Sequence, residues 1–78
     1  MPLYYFNIFD DIVTTDNEGS ELADAKAARE HAVKAARSLA ADSVLHGHLS
    51  AHHHIDIVDE NRHPIGTIRF DEAVEFLP

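Results

Sequence analysis

A chain of 78 residues forms at most one domain, residues 1–78 read as a single unit. One this short buries only about 60 to 65 % of the surface its unfolded form exposes. Fourteen Asp and Glu against six Lys and Arg set a formal net charge of -8, which argues against nucleic acid and anionic membrane as partners. With no cysteine there is no disulfide and no thiolate zinc site. Support beyond a small core then has to come from packing, from a metal held by His and carboxylate, or from a second subunit.

The opening MPLYYFNIFDD lacks a basic n-region, and its apolar run is short and alternating, so it reads as neither signal peptide nor membrane span. A cytoplasmic protein is the expectation. Leu3 to Phe9 alternates with Tyr4, Phe6 and Ile8 on one side and Leu3, Tyr5, Asn7 and Phe9 on the other, the pattern of a central strand. Asp10 and Asp11 break the run, Ile12 to Thr15 offers a short second strand, and TDNEGSE is rich in turn formers.

From Asp24, an N-cap, the stretch DAKAAREHAVKAARSLAADSVLHG has high helix propensity and closes on Gly47, suited to the left-handed C-terminal position. Its apolar stripe runs through Ala25, Ala28, Ala32, Val33, Ala36, Leu39, Ala40 and Val44. Small side chains let a helix come close to a sheet, so the bulk has to come from the strands: Tyr4, Phe6, Ile8, Ile55, Ile57, Ile68 and Phe70. Lys26, Arg29, Lys34 and Arg37 lie mostly opposite the stripe and read as a solvated face with local ion pairs.

The segment HGHLSAHHHIDI places five histidines in nine positions and then alternates as a strand. A four-residue loop, Asp59 to Arg62, pairs Val58 with His63, Ile57 with Pro64 and Ile55 with Gly66. That puts Ile55, Ile57, Ile68 and Phe70 on one inner face, with Asn61 as the left-handed residue. The outer face then holds His52, His54, Asp56, Val58, His63, Ile65, Thr67 and Arg69, and His53 points inward near the core's edge. The tail DEAVEFLP reads as a half-turn of helix or an extended end. The whole is an α+β domain, β-β-α-β-β, with a small antiparallel sheet and one Ala-rich helix packed on one face.

The stretches MPLYYFNIFD, DNEGSELADAKAAREHAVKAA and IDIVDENRHPIGTIRF together resemble a family of short bacterial proteins of unknown function. Its pattern is an aromatic first strand, an Asp-x-x-Gly-x-Glu-Leu-x-Asp segment, an Ala-rich helix with arginines, and a closing hairpin whose turn reads Asp-Glu-x-Gly. The signature falls here on Asp16, Gly19, Glu21, Leu22 and Asp24, while Asn61-Arg62 stands where a glycine is usual. The resemblance implies no activity, and the histidine cluster is not part of the common pattern. A looser similarity to the fold of HicB-type antitoxins implies a small protein partner; no DNA-binding segment follows Phe70.

Three functional readings follow. His52 and His54 on one side of a strand, about 7 Å apart, continue into Asp56, and His63 lies on the neighbouring strand, a donor set for zinc or nickel. Catalysis has little behind it, because no serine sits in a nucleophile elbow and the three glycines form no phosphate loop. One helix covers only one face of the sheet, so Tyr5, Phe9, Val58 and Ile65 on the other face predict a homodimer formed through the sheet. The leading expectation is therefore a small interaction module without enzymatic activity and without a required cofactor.

Overall fold

In a computed structural model of the chain, which describes residues 1–75 and 77, strands β1 (Leu3–Phe9), β2 (Val13–Thr14), β3 (Ser20–Glu21), β4 (His54–Asp59) and β5 (Pro64–Arg69) form one antiparallel sheet. The order is β2-β1-β4-β5, with β3 sharing the outer edge of β1 with β2. Helix α1 (Ala25–Leu45) lies across one face, and a short 3-10 turn, Asp71–Ala73, follows β5. The predicted β-β-α-β-β order holds, and β3 is an addition inside the turn-rich segment. Ser20 pairs with Tyr4 and Glu21 with Leu3.

Helix α1 begins and ends as local chemistry dictates. The Asp24 carboxylate accepts from Ala27 N–H at 2.8 Å. At the other end Gly47, at φ +94°, follows the cap residue His46. Gly47 N–H then donates to Val44 O and His48 N–H to Ser43 O, the paired bonds of a Schellman motif. Ala28, Ala32, Ala36 and Ala40 form a straight i, i+4 row that is completely buried but for a trace at Ala40. Against this row lie Tyr4, Phe6, Ile55, Ile57 and Phe70, all buried.

The stripe is narrower and shorter than predicted. Ala25 is exposed, Ile8 is half-buried, and Val44 is 58 % exposed. A 21-residue helix is about 31 Å long, whereas the six- and seven-residue strands span about 20 to 23 Å, so the last turn of α1 has no sheet beneath it.

The β4–β5 register also differs from the expected one. Val58 pairs with Pro64, Ile57 with Gly66 and Ile55 with Ile68, and the extra residue, Ile65, sits in a bulge. Inside the turn the Asp59 carboxylate accepts from Asn61 and His63 N–H, at 2.9 and 2.8 Å. The left-handed residue is Arg62, at φ 65°, not Asn61. The bulge leaves Ile55, Ile57 and Phe70 in the core and Ile68 against it, as expected. It also turns Ile65 from the outer face toward the core, where it is half-buried.

Both edges of the sheet are interrupted. Along β1, the N–H of Phe6 falls between the short β2 and β3 pairings and donates instead to the Asp16 carboxylate at 3.0 Å. At the β5 edge, Phe70 N–H bonds back to His53 O, so alternation turns Thr67 and Arg69 outward. The Glu72 carboxylate caps Arg69 N–H at 2.6 Å, and Arg29 reaches from α1 to Ile65 O at 2.9 Å. A bulge, a proline and two side-chain caps leave little edge for another strand to join.

Candidate functional site: the open face of the sheet

The face without a helix is built from alternate residues of three strands. Register places Tyr5 beside Val58, Asn7 beside Asp56 and Phe9 beside His54, then Thr67 beside Asp56 and Arg69 beside His54. Tyr5, Phe9, Val58, Asn7, His54 and Asp56 are all half-buried. The molecule's principal extents, 38 × 27 × 16 Å, make it a slab thick enough for one sheet and one helix, with this face left to solvent.

Each aromatic residue on the face carries a polar companion. The Arg62 guanidinium lies 4.0 Å from the centre of the Tyr5 ring. His54 stacks on Phe9, with centroids 4.8 Å apart and planes 11° from parallel. Between them Thr67 Oγ1 donates to Asp56 Oδ1 at 2.7 Å.

The loop before β3 closes one side of the face. Asp16 Oδ1 accepts from Glu18 and Gly19 N–H, Oδ2 from Phe6 N–H, and Asp16 N–H donates to Asn7 Oδ1. Burial pushes the Asp16 carboxyl up, but the Gly19, Phe6 and Glu18 N–H donors and the charge of Arg62 outweigh it and hold the group below its usual range. Gly19 sits at φ +75°, and a Cβ there would come within 3.0 Å of Leu3, Tyr4 O and Tyr5. Leu22 then packs on the core and Asp24 caps α1. Four of the five signature positions, Asp16, Gly19, Leu22 and Asp24, thus do architectural work.

The histidines separate. His54 Nδ1 lies 2.8 Å from the His52 carbonyl, which can only accept, so Nδ1 carries a proton, and Nε2 lies 3.7 Å from Asp56 Oδ1. His52 lies in the turn before β4, exposed, its N–H bonded to Ser50 Oγ. His63 lies beside Asp59 at the other end of β4, five residues or about 17 Å along the strand from His54. Of the predicted ligands His52, His54, Asp56 and His63, the fold therefore brings together only His54 and Asp56. Among the described residues no three His, Cys, Asp or Glu side chains converge as a metal site. His53 points inward, as predicted, with Nε2 3.3 Å from Asp11 Oδ1 and its ring edge-on to Phe70. Its buried Nδ1 has no hydrogen-bond partner among the described residues.

Residues 3–71 match a family model described as Domain of unknown function (DUF6894). The chain belongs to this family. No curated protein and no solved structure matches it. Membership assigns no activity. Among the described residues no helix is long and apolar enough to cross a membrane.

Of the predicted contact residues, Tyr5, Phe9 and Val58 lie on the open face, and Ile65 does not. Sequence reasoning noted Asn61-Arg62 where a glycine is usual, but gave the left-handed position to Asn61 and did not place Arg62 on the open face. It also passed over the apolar cluster of exposed Val44, Leu45 and Val74 with half-buried Leu49, which borders a hollow of about 530 Å³.

Proposed function

We propose that this member of the family is a small cytoplasmic interaction module without catalytic activity, which pairs with a second copy through the open sheet face. One observation carries the reading: side-chain caps and two-residue strands interrupt both sheet edges, while among the described residues no layer covers the face with Tyr5, Phe9 and Val58 on it. The chain's own core supports the choice of occupant. Among the described residues it rests on ten buried apolar side chains, five of them alanine, and a second sheet would supply the burial so small a domain lacks. The face is also mixed in charge, with Arg62 and Arg69 on it and Asp16 and Asp56 near them, so that a twofold pairing can set opposite signs together.

Light scattering on untagged protein at about 0.1 mM tests this. The expected mass is twice 8.7 kDa. Because each copy carries -8, raising salt from about 20 to about 200 mM should strengthen the pair. Val58→Glu, at a half-buried position in mid-face, should return the mass to that of one chain with the circular-dichroism spectrum unchanged. A wild-type monomer under all these conditions ends the proposal.

The His54–Asp56 pair favours a second, metal-dependent reading. Two copies facing each other would bring two imidazoles and two carboxylates to the axis, enough donors for one zinc or nickel ion. In that case chelator abolishes the dimer and zinc restores it; a dimer indifferent to both rules this reading out.

A further inference from the structure

A second surface runs along the flank of α1, apart from the open face. A groove of about 370 Å³ is lined by Lys26, Arg29, Val33, Lys34 and Arg37, with Glu30 the one acid among the described residues that line it. It therefore holds four of the six Lys and Arg of the chain and one of the fourteen Asp and Glu. Arg37 is shared with the apolar hollow bordered by Val44, Leu45, Leu49 and Val74, so a basic half passes directly into an apolar half. Val44 and Leu45 are 58 % and 83 % exposed.

The charges are not placed for the helix's benefit. Asp24 caps the N-terminus from outside, but the first turn holds Lys26 and no acid, and the last holds Asp42 and no base, the reverse of what the macrodipole favours. Nor are the two arginines free to wander. Arg29 Nη2 donates to Ile65 O at 2.9 Å and Arg37 Nε to Ala73 O at 2.7 Å, and the missing Cβ of Gly66 makes room for the first. Each guanidinium is held at one nitrogen and keeps further donors for a carboxylate. They are eight residues apart, about 12 Å along the axis.

We propose that this flank binds an acidic peptide segment of another protein, its carboxylates on Lys26, Arg29, Lys34 and Arg37 and its apolar end in the hollow beside Val44 and Leu45. Charge complementarity selects the occupant. The groove is a local excess of cations on a molecule of net charge -8, and the adjoining hollow asks for apolar groups that a phosphate backbone does not bring.

The test is a titration of 15N-labelled full-length protein with a synthetic helical peptide of about fourteen residues, Glu on one side and Leu toward one end, followed by NMR. Shifts are expected along residues 26–45 and at Leu49 and Val74. Affinity should fall several-fold between about 20 and 200 mM salt. Lys26→Glu with Lys34→Glu should cost at least about tenfold, with the spectrum otherwise intact, because both side chains are exposed. Val44→Asp should weaken binding separately. The proposal is overturned by any of four results: no shifts at millimolar peptide, shifts confined to the open face, equal affinity for a short DNA duplex, or a wild-type dimer that the double lysine variant abolishes. The last would mean that a second copy fills the groove. Loss of the open-face dimer on Val58→Glu leaves the peptide result unchanged, which keeps the two readings separable.

Discussion

The two faces of the sheet are closed by different physics. Under α1, closure is a matter of volume, since alanine methyls let Phe6, Ile55 and Ile57 fill the space. On the other side, ordering comes from directed contacts: Arg62 on Tyr5, His54 on Phe9, and Asp16 reaching four backbone and side-chain partners. Volume closure fails when an atom is added or removed, whereas directed closure fails when a charge or a backbone angle changes.

The largest contrast lies between neighbours in β4. Ile57→Ala should destabilise by about 3 to 4 kcal/mol in urea titration. Val58→Ala, one residue on and on the other face, should cost under about 1 kcal/mol in the monomer. Equal costs would mean that the faces do not differ as described.

Next comes Asp16. Removing its carboxylate in Asp16→Ala leaves Phe6 N–H without a partner beside the core, an effect of about 2 to 3 kcal/mol. The same group gives a pH dependence of known sign. Its carboxyl is held low in the folded chain, so the unfolded chain takes up the proton first. The stabilisation is complete above about pH 4, near the ordinary Asp value, and is lost as pH falls through the lower folded value. Asp16→Asn should flatten the wild-type stability curve in that window; an unchanged acid limb would remove Asp16 from the account.

A smaller effect tests the turn. Arg62 occupies a left-handed angle that disfavours a side chain, against which the contact with Tyr5 offsets part of the cost. Arg62→Gly should be near neutral, whereas Arg62→Ala, which keeps the strain and loses the contact, should be about 1 kcal/mol less stable than the glycine variant. Smallest of all, Gly66→Ala puts a methyl within 2.7 Å of the Arg29 guanidinium, the far end of a long side chain, which then has to shift its bond to Ile65 O. It should cost under about 1 kcal/mol and show chiefly as a change in the Arg29 Nε–H resonance.

Much of this was legible from short-range rules. Alternation identified β1 and the inward Ile55 and Ile57, capping chemistry placed α1 between Asp24 and Gly47, and the i, i+4 alanines marked its buried row. The direction of a side chain repeats with the backbone's own period, so a few neighbouring residues suffice to read it. The bulge at Ile65, the strand β3, the cap that Asp16 places on Phe6 and the distance between His63 and His54 did not follow from such rules. Each depends on which remote segment lies alongside, and on whether its donors and acceptors meet. A strand edge ten residues away from Asp16 leaves no trace in the residues next to it, so the contacts that close the sheet's edges and dress its open face become visible only when the chain is folded.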